Sequence, residues 1–257
     1  MIPRNRHIIR LGAFTLVEVL VAISILSILL AILVPALNSG RDAARSLKCR
    51  AQYREVAFSF VDFVSRSSHH GDGEQWGDSI VKIEDFQESV YRVHEFWDGP
   101  ATLERVAYQP GKQPLMCPAG PDLLDRRAEM PCTAGAVGPA PNVSSGLNKR
   151  LDSKTRYVNG SPFPQKVYLN EKVLMYPDVP LVLDVDGKKA VANGVGPYFT
   201  APPLPNDGPP DIYSNGLSWF PSFRHRGQIN VAFIGGHVLS SRSPLTEPWW
   251  RWSFQPD

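Results

Sequence analysis

The chain opens on a short polar stretch with Arg4, Arg6, His7 and Arg10 and no acid, then turns almost wholly apolar from Leu11 to Leu37. One charge, Glu18, interrupts that run. From Phe14 to Leu37 it would make about 36 Å of helix, enough for a hydrocarbon core of about 30 Å. A membrane-spanning helix is therefore predicted over 14–37. Beyond it, apolar or small residues recur at helical spacing at Leu37, Ala44, Leu47, Ala51, Phe58, Val61 and Val64, while Arg41, Arg45, Lys48, Arg50, Arg54 and Glu55 occupy much of the remaining surface. This pattern predicts an amphipathic continuation over 38–66, with Cys49 as a small buried residue. The cluster of Ser67, Ser68, Gly71, Asp72 and Gly73 ends it.

After Gly99 the texture changes to short apolar runs between turn signals. Leu115-Met116-Cys117, Val167-Tyr168-Leu169, Val173-Leu174-Met175, Leu181-Val182-Leu183, Ile229–Ile234 and His237-Val238-Leu239 read as strands of an antiparallel sheet. Asp186-Gly187 is a hairpin signal, and Gly235-Gly236 reads as a two-residue turn with positive φ inside a C-terminal hairpin over 229–240. The expectation for 67–257 is a loop-rich α+β domain.

Composition sharpens this division. The mean hydropathy of −0.19 describes an ordinary soluble protein only because it averages two unlike regions. Of 24 prolines, only Pro3 and Pro35 precede Pro100, so the proline-poor stalk and the turn-rich domain separate near Gly99. A net charge of +2 gives no reason to expect a nucleic-acid partner. The basic start places the N-terminus in the cytoplasm and the rest beyond the membrane.

Three cysteines are present. Cys117-Pro118 and Pro131-Cys132 bracket a loop whose closure by a disulfide would contribute about 3 kcal/mol on the chain-entropy view. The alternative is three small buried thiols. No nucleophile elbow, P-loop, dinucleotide fingerprint or zinc-protease helix occurs, so no enzyme is expected. His225, His237 and Asp184 superficially imitate a catalytic or metal cluster, but structural histidines are the simpler expectation. Trp249, Trp250, Trp252 and Phe254 are expected to pack as core or interface, with a glycan-stacking platform as the rival.

The apolar segment invites three readings: a plain anchor, a cleaved secretory signal, or something that uses Glu18. A carboxylate inside a membrane helix needs a partner and a reason. Gly12-Ala13-Phe14-Thr15-Leu16-Val17-Glu18 resembles the cleavage and methylation signal of type IV pilins and type II secretion pseudopilins. The resemblance implies removal of 1–13 by a prepilin peptidase before Phe14, methylation of the new Phe14 amine, and a Glu18 carboxylate kept in the apolar helix as its counter-charge in a neighbouring subunit. In this family Gly directly precedes the Phe; here Ala13 intervenes. Pro35 also matches a family feature, a proline about two-thirds along the helix. Loss of 1–13 removes three arginines and leaves 24 bases against 25 acids.

A second stretch, Phe223-Arg224-His225-Arg226-Gly227-Gln228-Ile229-Asn230-Val231-Ala232-Phe233-Ile234-Gly235-Gly236-His237-Val238, is similar to the closing motif of pilin-like proteins from planctomycete-type and verrucomicrobial bacteria. Gly235 stands where those proteins have Asp. Together these likenesses imply a pilin-like α+β fold and a structural subunit of a type IV pilus or secretion pseudopilus. Its partners would be the prepilin peptidase, other pilin or pseudopilin subunits, the inner-membrane assembly platform and membrane lipid. It would sit in the inner membrane as a single-pass protein, and its assembled form would be periplasmic or on the cell surface. The alternative is a single-span anchored binding module that never polymerises. No cofactor is expected; the one cation the resemblance admits is a structural calcium near Asp184 and Asp186.

Overall fold

The computed structural model describes residues 15–67, 80–83, 85–86, 105–107, 117–120, 123–125, 143–151, 154–156, 165–193, 199–203 and 218–254. The chain forms two compact units, Met1–Ala43 and Ala44–Asp257. A single helix, α1 (Leu16–Ser67, 52 residues), runs through both. Its first half is one helix long and apolar enough to cross a membrane. The side chains of 15–40 are all exposed, so in water this half would leave its Leu, Ile and Val unburied. Ser24 and Ser27 satisfy their hydroxyls within the helix, each donating 2.7 Å to the carbonyl four residues back, Leu20 and Ile23. Pro35 lies inside α1, which continues past it.

In the second unit α1 presents Cys49, Tyr53, Val56, Ala57, Phe60 and Val64 to the core. These positions recur every three or four residues and form one stripe. The stripe read from the sequence is partly displaced: Leu47 and Phe58 are 63% and 57% exposed. Cys49 is buried as expected, and Tyr53 joins it on the buried face, because a small thiol and a hydrogen-bonded phenol fit where the sheet approaches. Phe60 packs edge-on against Phe86 at 4.9 Å. Fully burying a side chain of that size stabilises the fold by about 1.5–3 kcal/mol.

The main sheet has five strands in the order β7-β3-β6-β8-β9. They are β3 (Ser145–Asn148), β6 (Pro180–Asp184), β7 (Phe199–Thr200), β8 (Ile229–Phe233) and β9 (Val238–Ser241). β3, β6, β8 and β9 pair antiparallel, as expected, and the two-residue β7 adds a parallel edge beside β3. β6 and β8 lie centrally and are buried throughout, and both read as mainly apolar runs, with Asp184 ending β6 and Asn230 inside β8. Two small antiparallel ladders join β1 (Arg105–Ala107) to β2 (Leu123–Asp125) and β4 (Lys154–Arg156) to β5 (Gln165–Val167).

Three local expectations change. Val173–Met175 is not a strand but part of a 3-10 helix, Glu171–Met175. The Asn170 side chain accepts from the Lys172 amide at its start, and Pro177 follows its end. Asp186-Gly187 does not turn a hairpin; it opens a short helix, α2 (Gly187–Ala192), whose Lys189 amide donates to Asp186 Oδ1 at 3.2 Å. In the C-terminal hairpin, only Gly236 of the Gly-Gly pair has positive φ (81°). The Gly236 amide donates to Phe233 O (2.9 Å) and the Phe233 amide to His237 O (3.0 Å). This is a four-residue turn closed by a left-handed glycine rather than a two-residue turn.

Gly235 is required for a different reason. A Cβ there would lie 2.7 Å from Pro177 Cβ, and the Gly235 amide already donates to Pro177 O at 3.0 Å. The proline ring is rigid, so the backbone must give way. Gly235→Asp is expected to destabilise the domain by about 1–3 kcal/mol. Thermal unfolding followed by tryptophan fluorescence measures this; an unchanged midpoint would refute the packing argument.

Candidate functional site

Two places gather the residues that the sequence singles out. The first is the start of α1. Thr15 is its N-cap and Glu18 its third residue. Glu18 Oε2 accepts from the Thr15 amide at 2.8 Å and from Thr15 Oγ1 at 2.9 Å, while the Glu18 amide donates back to Thr15 Oγ1 at 3.3 Å. This reciprocal arrangement satisfies two amides that a helix start leaves unpaired. The carboxylate also lies at the positive end of the helix dipole. Glu18 therefore has a local structural role before it meets any other chain. Gly12, Ala13 and Phe14 lie outside the described residues.

The second place is buried in the 44–257 unit. Cys49 on α1, Cys117 in the turn 117–120, Asp184 at the end of β6 and His225 before β8 bring four donor atoms within 4.8 Å of one another. All four residues are buried; Cys49 and Asp184 are fully enclosed. His225 Nε2 lies 3.1 Å from Cys117 Sγ and 3.5 Å from Asp184 Oδ2, and Cys49 Sγ lies 3.7 Å from Asp184 Oδ1.

Each member is held by its own backbone. Gly120 donates its amide to Cys117 O at 2.8 Å, and Ala119 donates its amide to Cys117 Sγ at 3.4 Å, so the Cys-Pro-Ala-Gly segment is a tight turn wrapped on the sulfur. His225 closes a two-residue turn: its amide and carbonyl exchange bonds with Gln228 at 3.2 and 3.0 Å, across Arg226 (φ 55°) and Gly227 (φ 77°). Both central residues are left-handed, as a hairpin turn of that type demands. Asp184 Oδ1 accepts from Tyr53 Oη at 2.8 Å and Oδ2 from the Asn230 amide at 2.7 Å. Arg224 braces the surroundings, donating to the carbonyls of Ser144 and Val185.

The electrostatics follow from this crowding. Burial pushes the Cys49 thiol well up, and the neighbouring Cys117 and Asp184 push it further. Cys117 is held down at about 5, first by its hydrogen bond with Cys49 and against its own burial, with His225 helping. Burial would lower His225, but its bonds to Asp184 and Cys117 outweigh this and raise it to about 9. These shifts favour a thiolate on Cys117 beside a protonated His225. The cluster is not a catalytic relay of the nucleophile–base–orienter kind. In such a relay the acid bonds the ring nitrogen remote from the nucleophile, whereas here Cys117 and Asp184 both approach Nε2.

Several expectations are redistributed. The structure brings His225 and Asp184 together but leaves out His237, which stacks on Phe233 at 4.5 Å. Asp186 is likewise apart from Asp184: it caps α2 and faces Lys189 Nζ at 3.8 Å. Cys117 carries a free thiol turned inward to His225, and Cys132 lies outside the described residues. Asn230, Gly235 and Gly236 serve β8 and its turn. Cys49 and Tyr53 were not legible as site residues, although they stand one helical turn apart on one face. Of the C-terminal aromatics, Trp250, Trp252 and Phe254 are buried, with Trp252 Nε1 donating to Pro244 O at 2.9 Å, while Trp249 is 80% exposed.

The prokaryotic N-terminal methylation motif matches residues 12–34 as a family model. That range contains the helix cap and Glu18. No curated protein and no solved structure matches the chain. The motif, the long apolar helix and the antiparallel sheet support a type IV pilin-like protein.

Proposed function

We propose that the chain is a structural subunit of a type IV pilus or a type II secretion pseudopilus, made as an inner-membrane precursor and assembled from there. The observation that carries this reading is the carboxylate of Glu18 at the start of an otherwise apolar, unburied helix, inside the methylation motif at 12–34. A prepilin peptidase would remove 1–13, and Phe14 would carry the methylated amine. The three arginines of the leader keep the N-terminus cytoplasmic and the sheet domain beyond the membrane. In a low-dielectric layer the new amine and a neighbour's Glu18 offset each other's desolvation and set the axial register of the helices. The peptidase, sister subunits and an assembly platform are the partners this mechanism needs; energy for extraction comes from elsewhere.

Mass spectrometry of the mature N-terminus is the direct test. The expected species begins at Phe14 and carries one added methyl group. An intact Met1, or a start at Leu37, would overturn the proposal. The anchored glycan-binding alternative finds little support, because three of its four platform aromatics are buried.

A further inference from the structure

We infer that Cys49, Cys117, Asp184 and His225 form a structural zinc site. Four observations lead there, none of which needs the filament reading. The first is convergence: four residues from separate parts of the chain aim one donor atom each at a common point, all within 4.8 Å of one another. A tetrahedral zinc ion, with bonds of about 2.3 Å to sulfur and about 2.0–2.1 Å to nitrogen or oxygen, spaces its ligand atoms about 3.4–3.8 Å apart. The separations of 3.7, 3.1 and 3.5 Å lie at or near that range, while the widest, up to 4.8 Å, needs side chains to close by about 1 Å around the ion.

The second is the donor set. Two thiolates, an imidazole and one carboxylate are a borderline-soft combination that suits zinc and excludes calcium or magnesium, which take oxygen ligands. Asp184 thus leaves the calcium pairing with Asp186 that its sequence neighbourhood suggests. The third is charge. Two thiolates and a carboxylate bring three negative charges into a buried space; a divalent ion and the Arg224 guanidinium, whose field acts on Asp184, restore neutrality. Binding displaces the protons that the thiols and the imidazole carry, and no electrons move.

The fourth is the surrounding layer, which is built as metal ligands require. Tyr53 Oη and the Asn230 amide orient the two carboxylate oxygens, and the Ala119 amide points at the Cys117 sulfur. Among the described residues, the fully buried Asn230 Nδ2 finds no nitrogen or oxygen acceptor. It lies beside the Cys49 sulfur and favours the thiolate there. A buried amide donor without an acceptor is costly around a neutral thiol and is satisfied around a metal-bound thiolate. The ion would tie α1, the turn 117–120, β6 and the approach to β8 together at one point.

The test uses the full-length chain, solubilised in detergent and purified without a metal-affinity step. Elemental analysis should find about one zinc per chain. After chelation under reductant, Co2+ should restore a single site with the intense visible bands of a tetrahedral centre and a thiolate charge-transfer band. Cys49→Ser/Cys117→Ser should lower zinc to background, and Cys132→Ser should leave it unchanged. Tyr53→Phe keeps all four ligands and should weaken zinc binding by about 10–100-fold. If the double variant does not fold, the cobalt spectrum of the native chain and the Tyr53→Phe affinity still decide. The inference fails if the loaded native chain holds no zinc, if the double variant keeps its zinc, or if peptide mapping of the unreduced protein finds a Cys49–Cys117 disulfide.

Discussion

Asp184→Ala should destabilise the sheet domain by about 3–5 kcal/mol, the usual cost of removing one partner from a buried ion pair. The residue is fully enclosed, and its two oxygens are the acceptors for Tyr53 Oη and the Asn230 amide. Its loss also leaves the raised charge on His225, and Arg224 nearby, without their carboxylate. For a domain of this size the midpoint of thermal unfolding should fall by about 6–20 °C. Asp186→Ala supplies the contrast. That residue caps a short helix and faces an exposed lysine, and its removal should cost about 1 kcal/mol. Tryptophan fluorescence follows both, since Trp250 and Trp252 are buried in the same domain. Similar midpoints for the two variants would show that the Asp184 network contributes little.

The second large effect concerns assembly. Glu18→Ala is expected to leave membrane insertion intact and to abolish incorporation into filaments. Alanine removes two things at once: the charge and the carboxylate that closes the Thr15 cap. Glu18→Gln separates them. Glutamine at the third helical position still closes a capping box but offers no charge to a neighbour's amine. If pairing across subunits drives assembly, the Gln variant fails as completely as Ala. Filaments of normal abundance from Glu18→Gln would instead assign Glu18 to the cap. Immunoblotting of sheared filaments against membrane fractions reads both variants.

Part of this architecture was legible because it depends on periodicity. The span of α1 shows in its apolar run and in the spacing that follows, and β6 and β8 show as short apolar segments between turns. The helix cap was missed, although Thr15 and Glu18 stand three residues apart, the spacing of a capping box. The cluster was legible only in part: His225 and Asp184 stood together as a cluster imitation, but with His237 as the third member and without the two cysteines. Cys49 and Asp184 are 135 positions apart, and Cys117 and His225 are 108 apart. Each then attracts an explanation from its own neighbourhood: a loop disulfide for Cys117, a calcium site for Asp184 with Asp186, a turn contact for His225. Only the antiparallel pairing of β6 with β8, and the packing of α1 on that pair, bring them together. Val173–Met175 failed differently. Three apolar residues suit a strand or a 3-10 turn equally, and the Asn170 cap and the proline that follows decided between them.

The span in sequence of those contacts also sets when the domain can fold. Tyr53 waits for Asp184, Arg50 for Val238, and Cys117 for His225. Among the described residues, no early portion of the chain contains a finished core, because these contacts each need a segment that is made much later. Folding governed by such distant contacts is slow relative to folding from local ones. During that interval the Cys49 thiol and the aromatic face of α1 stay open to oxidants, proteases and neighbouring chains. The time before closure is therefore the exposed stage of this fold, and it ends only when Trp250, Trp252 and Phe254, which follow the hairpin carrying Gly236, join the core.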